Sequence, residues 1–479
     1  MPKKFIQTLL LLTVVARLSC TPGPQPPRLP LADALAGLEP LIAERRYSNA
    51  VAALEEVAQN YPDASQPFIR IGQIYLMQHR WLLAEDAFNR ALARDLTNPL
   101  ALAGLAETLF KQGQVIEARR QWQKLVATRP QFPGAFTGLA LTHLWQLDFE
   151  AARAALRQQQ THKFDPQAQW YLAALTAPYD LTGAVEQLKS IAADSAEAGV
   201  PAEIAAQRDY FLAALAEFSP ASPPAEVAKA AGLALAQVEQ WPLAVYALTA
   251  AQEQSERADA ETLAFLAYAL ARSGRPALEL FGQARQTAPE SALPPFLEGL
   301  YLRDKGALKA AEASLQQALA LDQENAAITV ELARTKAQQG DLGTAESLYQ
   351  AAVEQAGGDP QFQKLLAQFY AGRSYRLEEA GIPVAEALLE LDEADAEAYA
   401  LLGWMQFLAG NPTAGEMSLR RAVELNPDLI SARYYLARLL EVQGQAGPAE
   451  SEYRRVIDWD SSGEYRQLAL AAMQRLSPP

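Results

Sequence analysis

Few residues in this chain are equipped for chemistry. His79, His143 and His162 are its only imidazoles, and Cys20 is its only thiol. A zinc or copper site needs several nitrogen or sulfur ligands at short spacing. No histidine here has a second histidine or a cysteine at such a distance, so no metal is expected. His143, in "LTHLW", takes a large apolar position and is expected to be a satisfied buried histidine. "LTGAVEQLK", residues 181–189, has a lysine at its end but lacks the glycines of a phosphate-cradling loop. No nucleophile elbow is present. Glu378–Glu379 and the run "ELDEADAEA", residues 390–398, supply carboxylates, the raw material of general acid–base catalysis. They fall on turns or helix starts, where the helix dipole stabilises negative charge. A structural role follows for them. Neither a cofactor nor a catalytic activity is expected.

Binding is the remaining kind of chemistry. Aromatic and arginine side chains are frequent interface anchors, and what they can reach depends on the elements that carry them. Half of the 479 residues are hydrophobic, and the formal net charge is −15, with the acid surplus concentrated in residues 251–479. An acidic surface repels phosphate backbones, which excludes nucleic acid as the expected partner. Alanine and leucine dominate and β-branched residues are sparse, a composition that favours helix. The length suggests two or more domains, or one extended array.

The N-terminus reads as an address. Lys3 and Lys4 precede the apolar run "FIQTLLLLTVVA", residues 5–16. As a helix this run spans roughly 18 Å, short of a bilayer core of about 30 Å, and it reads as a secretory signal peptide. The following "RLSC" resembles the lipobox of bacterial lipoproteins. That resemblance implies acylation of Cys20 as the first mature residue. Leu18 and Ser19 fit the pattern and Arg17 departs from it. Cleavage after Ala16, with Val14 and Ala16 as the small residues, is the alternative. "TPGPQPPRLP", residues 21–30, holds five prolines and should be an extended tether. With one cysteine, no internal disulfide can form.

The rest of the chain repeats. Phe68, Ile71, Gly72 and Tyr75 follow the i, i+3, i+4, i+7 pattern of one helix face, and Ala84, Phe88 and Ala91 mark the face of a second. A shift of 34 residues gives Leu102, Leu105, Ala106, Leu109, then Ala118, Trp122 and Leu125. A further shift reaches Phe136, Leu139, Ala140, Ala152 and Leu156. Polar stretches such as "KQGQ", residues 111–114, separate the two helices. Antiparallel helices packed about 8–10 Å apart need small side chains where they approach most closely. The small positions therefore mark helix contacts.

This pattern resembles the tetratricopeptide repeat, with Pro62, Pro130, Pro289 and Pro427 at the last position of their units. Further units carry Gly232, Ala244, Leu248 and Ala251; Gly299, Ala311, Leu315 and Ala318; Ala333, Ala345, Tyr349 and Ala352; Gly403, Leu419 and Ala422; and Ala437, Ala449, Tyr453 and Val456. The resemblance implies an all-α fold, a right-handed α-solenoid of about 11–12 helical hairpins with a C-terminal capping helix. The expected organisation is a signal peptide with candidate lipobox over 1–20 and a proline-rich tether over 21–30. An N-terminal sub-array over 31–218, irregular from about 157, leads to a proline-rich break at 219–226. A C-terminal sub-array over 227–462 and a capping helix with tail over 463–479 complete it. In the capping helix Leu468, Ala472 and Leu476 are expected to face inward.

In tetratricopeptide proteins the first helix of each unit lines a concave groove. Carried onto this chain, that rule makes Met77, Phe110, Trp145, Phe296, Trp404, Phe407, Tyr434 and Arg438 candidate partner-binding residues. Trp404, Phe407, Tyr434 and Arg438 come from adjacent units and could form one patch. The asparagine positions of the family's peptide-tail clamp carry Gln73, Glu107, Arg334, Trp404 and Arg438 instead, so that mode is not expected. The resemblance, now to envelope tetratricopeptide lipoproteins, implies a non-enzymatic protein–protein interaction scaffold or assembly factor of the bacterial cell envelope. Its partners would be protein or peptide segments, or a multi-protein envelope complex. Its location would be the periplasm or cell surface, with membrane contact only through a lipid anchor at Cys20; a soluble exported form is the alternative. A surface glycan- or solute-binding helical-repeat lipoprotein, with Trp145 and Trp404 as sugar platforms, is the alternative function.

Overall fold

A computed structural model describes residues 29–162, 164–193, 200–460 and 462–476. The expected signal peptide, Cys20 and most of the proline-rich segment lie outside the described residues. Every regular element among the described residues is a helix, and no helix there is long and apolar enough to cross a membrane. Taken in pairs, the helices form twelve hairpins among the described residues, from Glu39–Ala43 with Tyr47–Asn60 to Ile430–Val442 with Ala446–Trp459. The helix Ala202–Leu215 stands unpaired in the middle, and Glu464–Leu476 closes the C-terminal end.

Local sequence explains where these helices start. Asn98, Asp165, Asp359 and Asn411 cap helices whose first turn contains a proline, a residue that suits a position where no amide donor is needed. Asp395 caps the helix Ala396–Leu408, accepting from the backbone N–H groups of Glu397 and Ala398. The acidic run 390–398 therefore serves a helix start. Glu379 pairs with Arg376 beside the π-helical turn Leu377–Gly381.

The turn inside each hairpin has its own register. Positive φ recurs at Arg45, His79, Gly113 and Leu147, one repeat length apart, then at Gly306, Gly340 and Ser374, and again at Gly410 and Gly444. Each of these residues reverses the chain through the left-handed region, which costs an ordinary side chain roughly 1–2 kcal/mol and glycine little. His79 is thus a turn residue, and its ring stacks on Trp81 at 4.8 Å.

The small positions lie where the helices meet. A Cβ added to Gly72 would stand 2.7 Å from the Phe88 ring; at Gly232 and Gly299 it would meet Leu248 and Leu315 at 2.5 and 2.6 Å, and at Gly403 Leu419 at 2.7 Å. In each pair the large residue follows the glycine by sixteen positions. The rule also runs forward into the next unit. Gly104 lies against Phe88, and Gly138 against Trp122. Phe88 is thus clasped between Gly72 and Gly104 and is fully buried.

The core is a series of adjoining apolar clusters along the array, as expected when each unit buries its face against its neighbours. One cluster runs from Leu139 to Ala269. It continues beneath the proline-rich 219–226 segment, with Leu215 and Val227 both in it; residues 219–223 turn over this continuous core and the next helix starts at Pro224. In the irregular middle the fully buried Trp170 packs on Tyr171 and Phe211 at 5.1 and 6.4 Å. Here the array folds back on itself. Tyr246 meets Phe149 at 4.7 Å, Arg153 donates to the Tyr246 hydroxyl at 2.6 Å, and Gln254 donates to the Pro178 carbonyl at 3.0 Å.

The two ends of the array touch. Asp458 Oδ1 accepts from the Ser48 backbone N–H at 3.2 Å and from its hydroxyl at 2.6 Å. The buried Gln78 amide points its donors at the carbonyls of Ile457 and Asp458, at 3.5 and 3.4 Å. Arg45 reaches Asp428 at 3.3 Å and lies over the Trp459 ring. These contacts join the first and last hairpins of the array. In the last helix Arg466, Ala469 and Ala472 are buried, Leu476 is half-buried and Leu468 is exposed. The expected inward position of Leu468 is corrected to Ala469.

Candidate partner-binding surface

Four helices of the C-terminal end, Ala396–Leu408, Ile430–Val442, Ala446–Trp459 and Glu464–Leu476, hold a connected set of aromatic rings. Trp404 lies 5.5 Å from Phe407 on the same helix and stacks nearly parallel on Tyr435 of the next unit, with centroids 4.4 Å apart and planes 13° apart. Tyr435 meets Tyr465 edge-on at 5.9 Å, and their hydroxyls are 3.2 Å apart. Tyr434 packs on Tyr465 at 5.3 Å and on the buried Tyr453 at 6.1 Å. Trp404, Phe407, Tyr434, Tyr435 and Tyr465 are all half-buried, so the ladder is anchored below and wet above.

The expected patch of Trp404, Phe407 and Tyr434 is therefore brought together, with Tyr435 as the link. Sequence reasoning missed Tyr435 and Tyr465. Tyr435 sits one position beyond the groove register, and Tyr465 belongs to the capping helix, which has no unit of its own to compare with. Both are readable only as aromatic residues near the C-terminus.

Arg438 is on the same helix, but its guanidinium is engaged. Its Nη1 donates to Glu441 at 2.6 Å, and Glu441 also accepts from the Tyr453 hydroxyl at 2.5 Å and from Arg475 at 3.2 Å. Burial opposes the charge on Glu441, but the bonds from Tyr453, Arg475 and Arg438 outweigh it and hold its carboxyl below the usual carboxylate range. Burial also pushes the Tyr434, Tyr435 and Tyr465 hydroxyls upward, so they stay neutral. The surface is an aromatic strip of neutral rings beside a half-buried carboxylate, Glu441, that gathers Arg438, Arg475 and Tyr453.

The other candidates lie elsewhere. Phe110 and Trp145, from adjacent units, meet edge-to-face at 6.0 Å and are half-buried. Met77 is exposed. Phe296 is half-buried beside the cluster around Phe281. A cavity of about 330 Å³ between the helices Ala326–Gln339, Leu342–Gln355 and Pro360–Arg373 is lined by Arg334, Tyr349, Phe369 and Arg373. Of these, the repeat register gave Tyr349 as a packing position and Arg334 as a replaced clamp asparagine, and neither was among the candidate partner-binding residues.

The histidines remain apart. His143 is partly buried with Nδ1 3.4 Å from Asp148 Oδ2, and His162 stacks on Phe136 at 5.5 Å. Among the described residues no group of three or more histidine, cysteine, aspartate or glutamate side chains is placed to hold a metal ion.

Sequence profiles of the tetratricopeptide repeat match residues 41–99 and 69–136, 302–369, and 396–429. No curated protein matches the chain. Among solved structures it is similar to yeast Tom70, at 12% identity over 93% of this chain and 96% of that one, with a TM-score of 0.40. It is also similar to the Cut9–Hcn1 hetero-tetramer of the APC/C, at 14% identity over 91% and 99%, with a TM-score of 0.37. A third is YrrB, described as a tetratricopeptide protein with an unusual peptide-binding site, at 19% identity over 40% of this chain and 97% of that one, with a TM-score of 0.30. With its repeat register, paired helices and matched segments together, the chain carries tetratricopeptide repeats over residues 41–136, 302–369 and 396–429, within an all-helical solenoid of stacked hairpins.

Proposed function

We propose that this protein is a non-enzymatic interaction scaffold of the bacterial cell envelope that grips protein segments on its aromatic C-terminal strip. The tetratricopeptide repeats indicate protein–protein interaction as the general activity. The observation that carries the specific reading is the half-buried ladder of Phe407, Trp404, Tyr435, Tyr465 and Tyr434. Rigid aromatic area of this kind binds at low entropic cost, because the rings are already ordered by one another. Export and a lipid anchor at Cys20 follow from the basic, apolar, "RLSC" start of the chain, and a scaffold so tethered would hold its strip near the membrane face. A sugar platform at Trp404 is less well supported, since one face of that indole is covered by Tyr435.

The test is capture from envelope extract by the immobilised protein. Trp404→Ala and Tyr434→Ala should each lower recovery of the captured partner about tenfold or more, as truncation of an interface anchor does. Identical capture by both variants would refute the strip as the binding surface. Intact-mass analysis of membrane fractions tests the anchor. A mature chain lacking Cys20, or carrying it unacylated, would remove the tether from the reading.

A further inference from the structure

The seam where the two ends of the array meet encloses a second feature. The charged lining of a cleft of about 570 Å³ is Glu44, Arg45 and Arg46 from the first hairpin, and Arg433, Arg454, Arg455 and Asp458 from the last. Five guanidiniums converge there in a chain whose net charge is −15. Arg433 is nearly buried; it lies over the Trp459 ring at 4.8 Å and pairs with Glu452 at 2.7 Å. The other four are each about half exposed and hold single carboxylates. Arg45 holds Asp428 and Arg46 holds Glu44, at 3.3 and 3.4 Å; Arg454 holds Glu450 and Arg455 holds Glu452, both at 2.5 Å.

Exposed pairs of this kind contribute little, about 0–1 kcal/mol each, and exchange readily. Every guanidinium has five N–H donors in a fixed fork, and these pairs leave most of them open. A monocarboxylate would gain little by replacing carboxylates already in place. A phosphoryl group carries nearly two charges near neutral pH and three acceptor oxygens, and it suits the arginine fork bidentately. It is the common oxyanion that can outcompete the resident side chains. Asp458 and Glu44 line the same cleft, and the Ser48 bonds to Asp458 Oδ1 do not remove a carboxylate from it, so the anion must be held by the open guanidinium donors against these two acids.

We propose that the seam cleft is a binding site for a phosphate-bearing anion of at least two charges. The site exists only when residues 44–49 and 433–459 are together, so the ligand would also hold the closed array shut by mass action. The anion is either a soluble phosphate compound or the phosphomonoester headgroup of phosphatidic acid.

The experiment measures thermal unfolding and calorimetric binding of the purified protein with sodium pyrophosphate, at an ionic strength held constant with sodium chloride. In parallel the protein is sedimented with phosphatidic acid vesicles and with phosphatidylcholine vesicles. The variants are Arg46→Ala/Arg454→Ala in the cleft and Arg420→Ala/Arg421→Ala, which breaks similar exposed pairs outside it. Pyrophosphate should raise the melting temperature saturably, and the cleft variant should lower its affinity about tenfold or more while the outside variant leaves it unchanged. All four arginines are exposed, so both ligand-free variants should melt close to the parent. Arginine-dependent sedimentation with phosphatidic acid alone identifies the headgroup as the source; pyrophosphate binding without it identifies a soluble phosphate. If neither probe shows a dependence on Arg46 and Arg454, or if the outside variant loses binding equally, the site is refuted.

Discussion

The clasp on Phe88 gives a sharp test of how this array is packed. Gly104 sits inside the helix Pro99–Lys111, where replacing glycine by alanine ordinarily stabilises a helix by about 0.5–1 kcal/mol. At this position the new methyl would lie 2.3, 2.4 and 2.8 Å from three atoms of the Phe88 ring. The ring has no retreat, because its other side is 2.7 Å from the corresponding point on Gly72 and none of it is exposed. Overpacking of this sort costs typically about 1–3 kcal/mol. Set against the propensity gain, Gly104→Ala should destabilise by about 1–2 kcal/mol. Gly282 is the control. It lies in the middle of the helix Leu278–Thr287 with nothing within 4 Å of an added Cβ, so Gly282→Ala should stabilise by about 0.5–1 kcal/mol. The same chemical change thus has opposite signs at two helical glycines. The assay is urea unfolding followed by circular dichroism, comparing midpoints at matched slopes. Phe88→Leu combined with Gly104→Ala should recover part of the loss, since the smaller side chain relieves the clash. A Gly104→Ala protein as stable as its parent would refute the argument that glycine is required there by contact.

Other consequences follow from the same geometry. Glu239 is exposed and holds a left-handed turn position with φ of 57° between the helices Pro224–Gln237 and Trp241–Gln254; Glu239→Gly should therefore raise stability by up to about 1 kcal/mol, and a lower unfolding midpoint would argue against strain at that turn. Asp458→Ala removes the acceptor for both donors of Ser48 and should loosen the seam, costing about 1–3 kcal/mol and speeding amide exchange in residues 47–60, whereas Asp458→Asn keeps an acceptor and should stay near the parent. Unchanged exchange in the alanine variant would mean that the ends are held by other contacts. Glu441 has its folded pKa depressed, so its contribution is fully present above the unfolded carboxylate value, about 4.3, and is lost as pH falls through the lower folded value. Glu441→Gln should flatten the acid limb of the stability profile below about pH 4.3 and lower stability at neutral pH; an unchanged acid limb would show that the carboxylate is not linked to folding.

Much of this architecture could be read without coordinates, and the reasons lie in chain distance. The helix faces, the repeat length and the small positions are set by contacts within a hairpin or to the next one. Phe88 and its two glycines span only residues 72–104, so composition and spacing carry that information directly. The capping helix was harder. "LALAAM", residues 468–473, is apolar almost all round, so periodicity alone does not choose between Leu468 and Ala469 as the inward residue. Packing against the preceding helices, which buries Ala469, made the choice. The aromatic strip was half legible. Trp404, Phe407 and Tyr434 follow from the groove register, but Tyr435 and Tyr465 joined them only through the angle between successive helices.

The sequence by itself determined the unit: two helices, a polar stretch between them, a small side chain opposed to a large one. Only the tertiary structure decided that Ser48 would meet Asp458, 410 residues away, and that five arginines would share one cleft there. Each hairpin sets a small rotation onto the next, and the position of the last relative to the first is the accumulated result of all of them. No local pattern encodes that sum, so the closure and the site it builds appear only when the whole array is assembled.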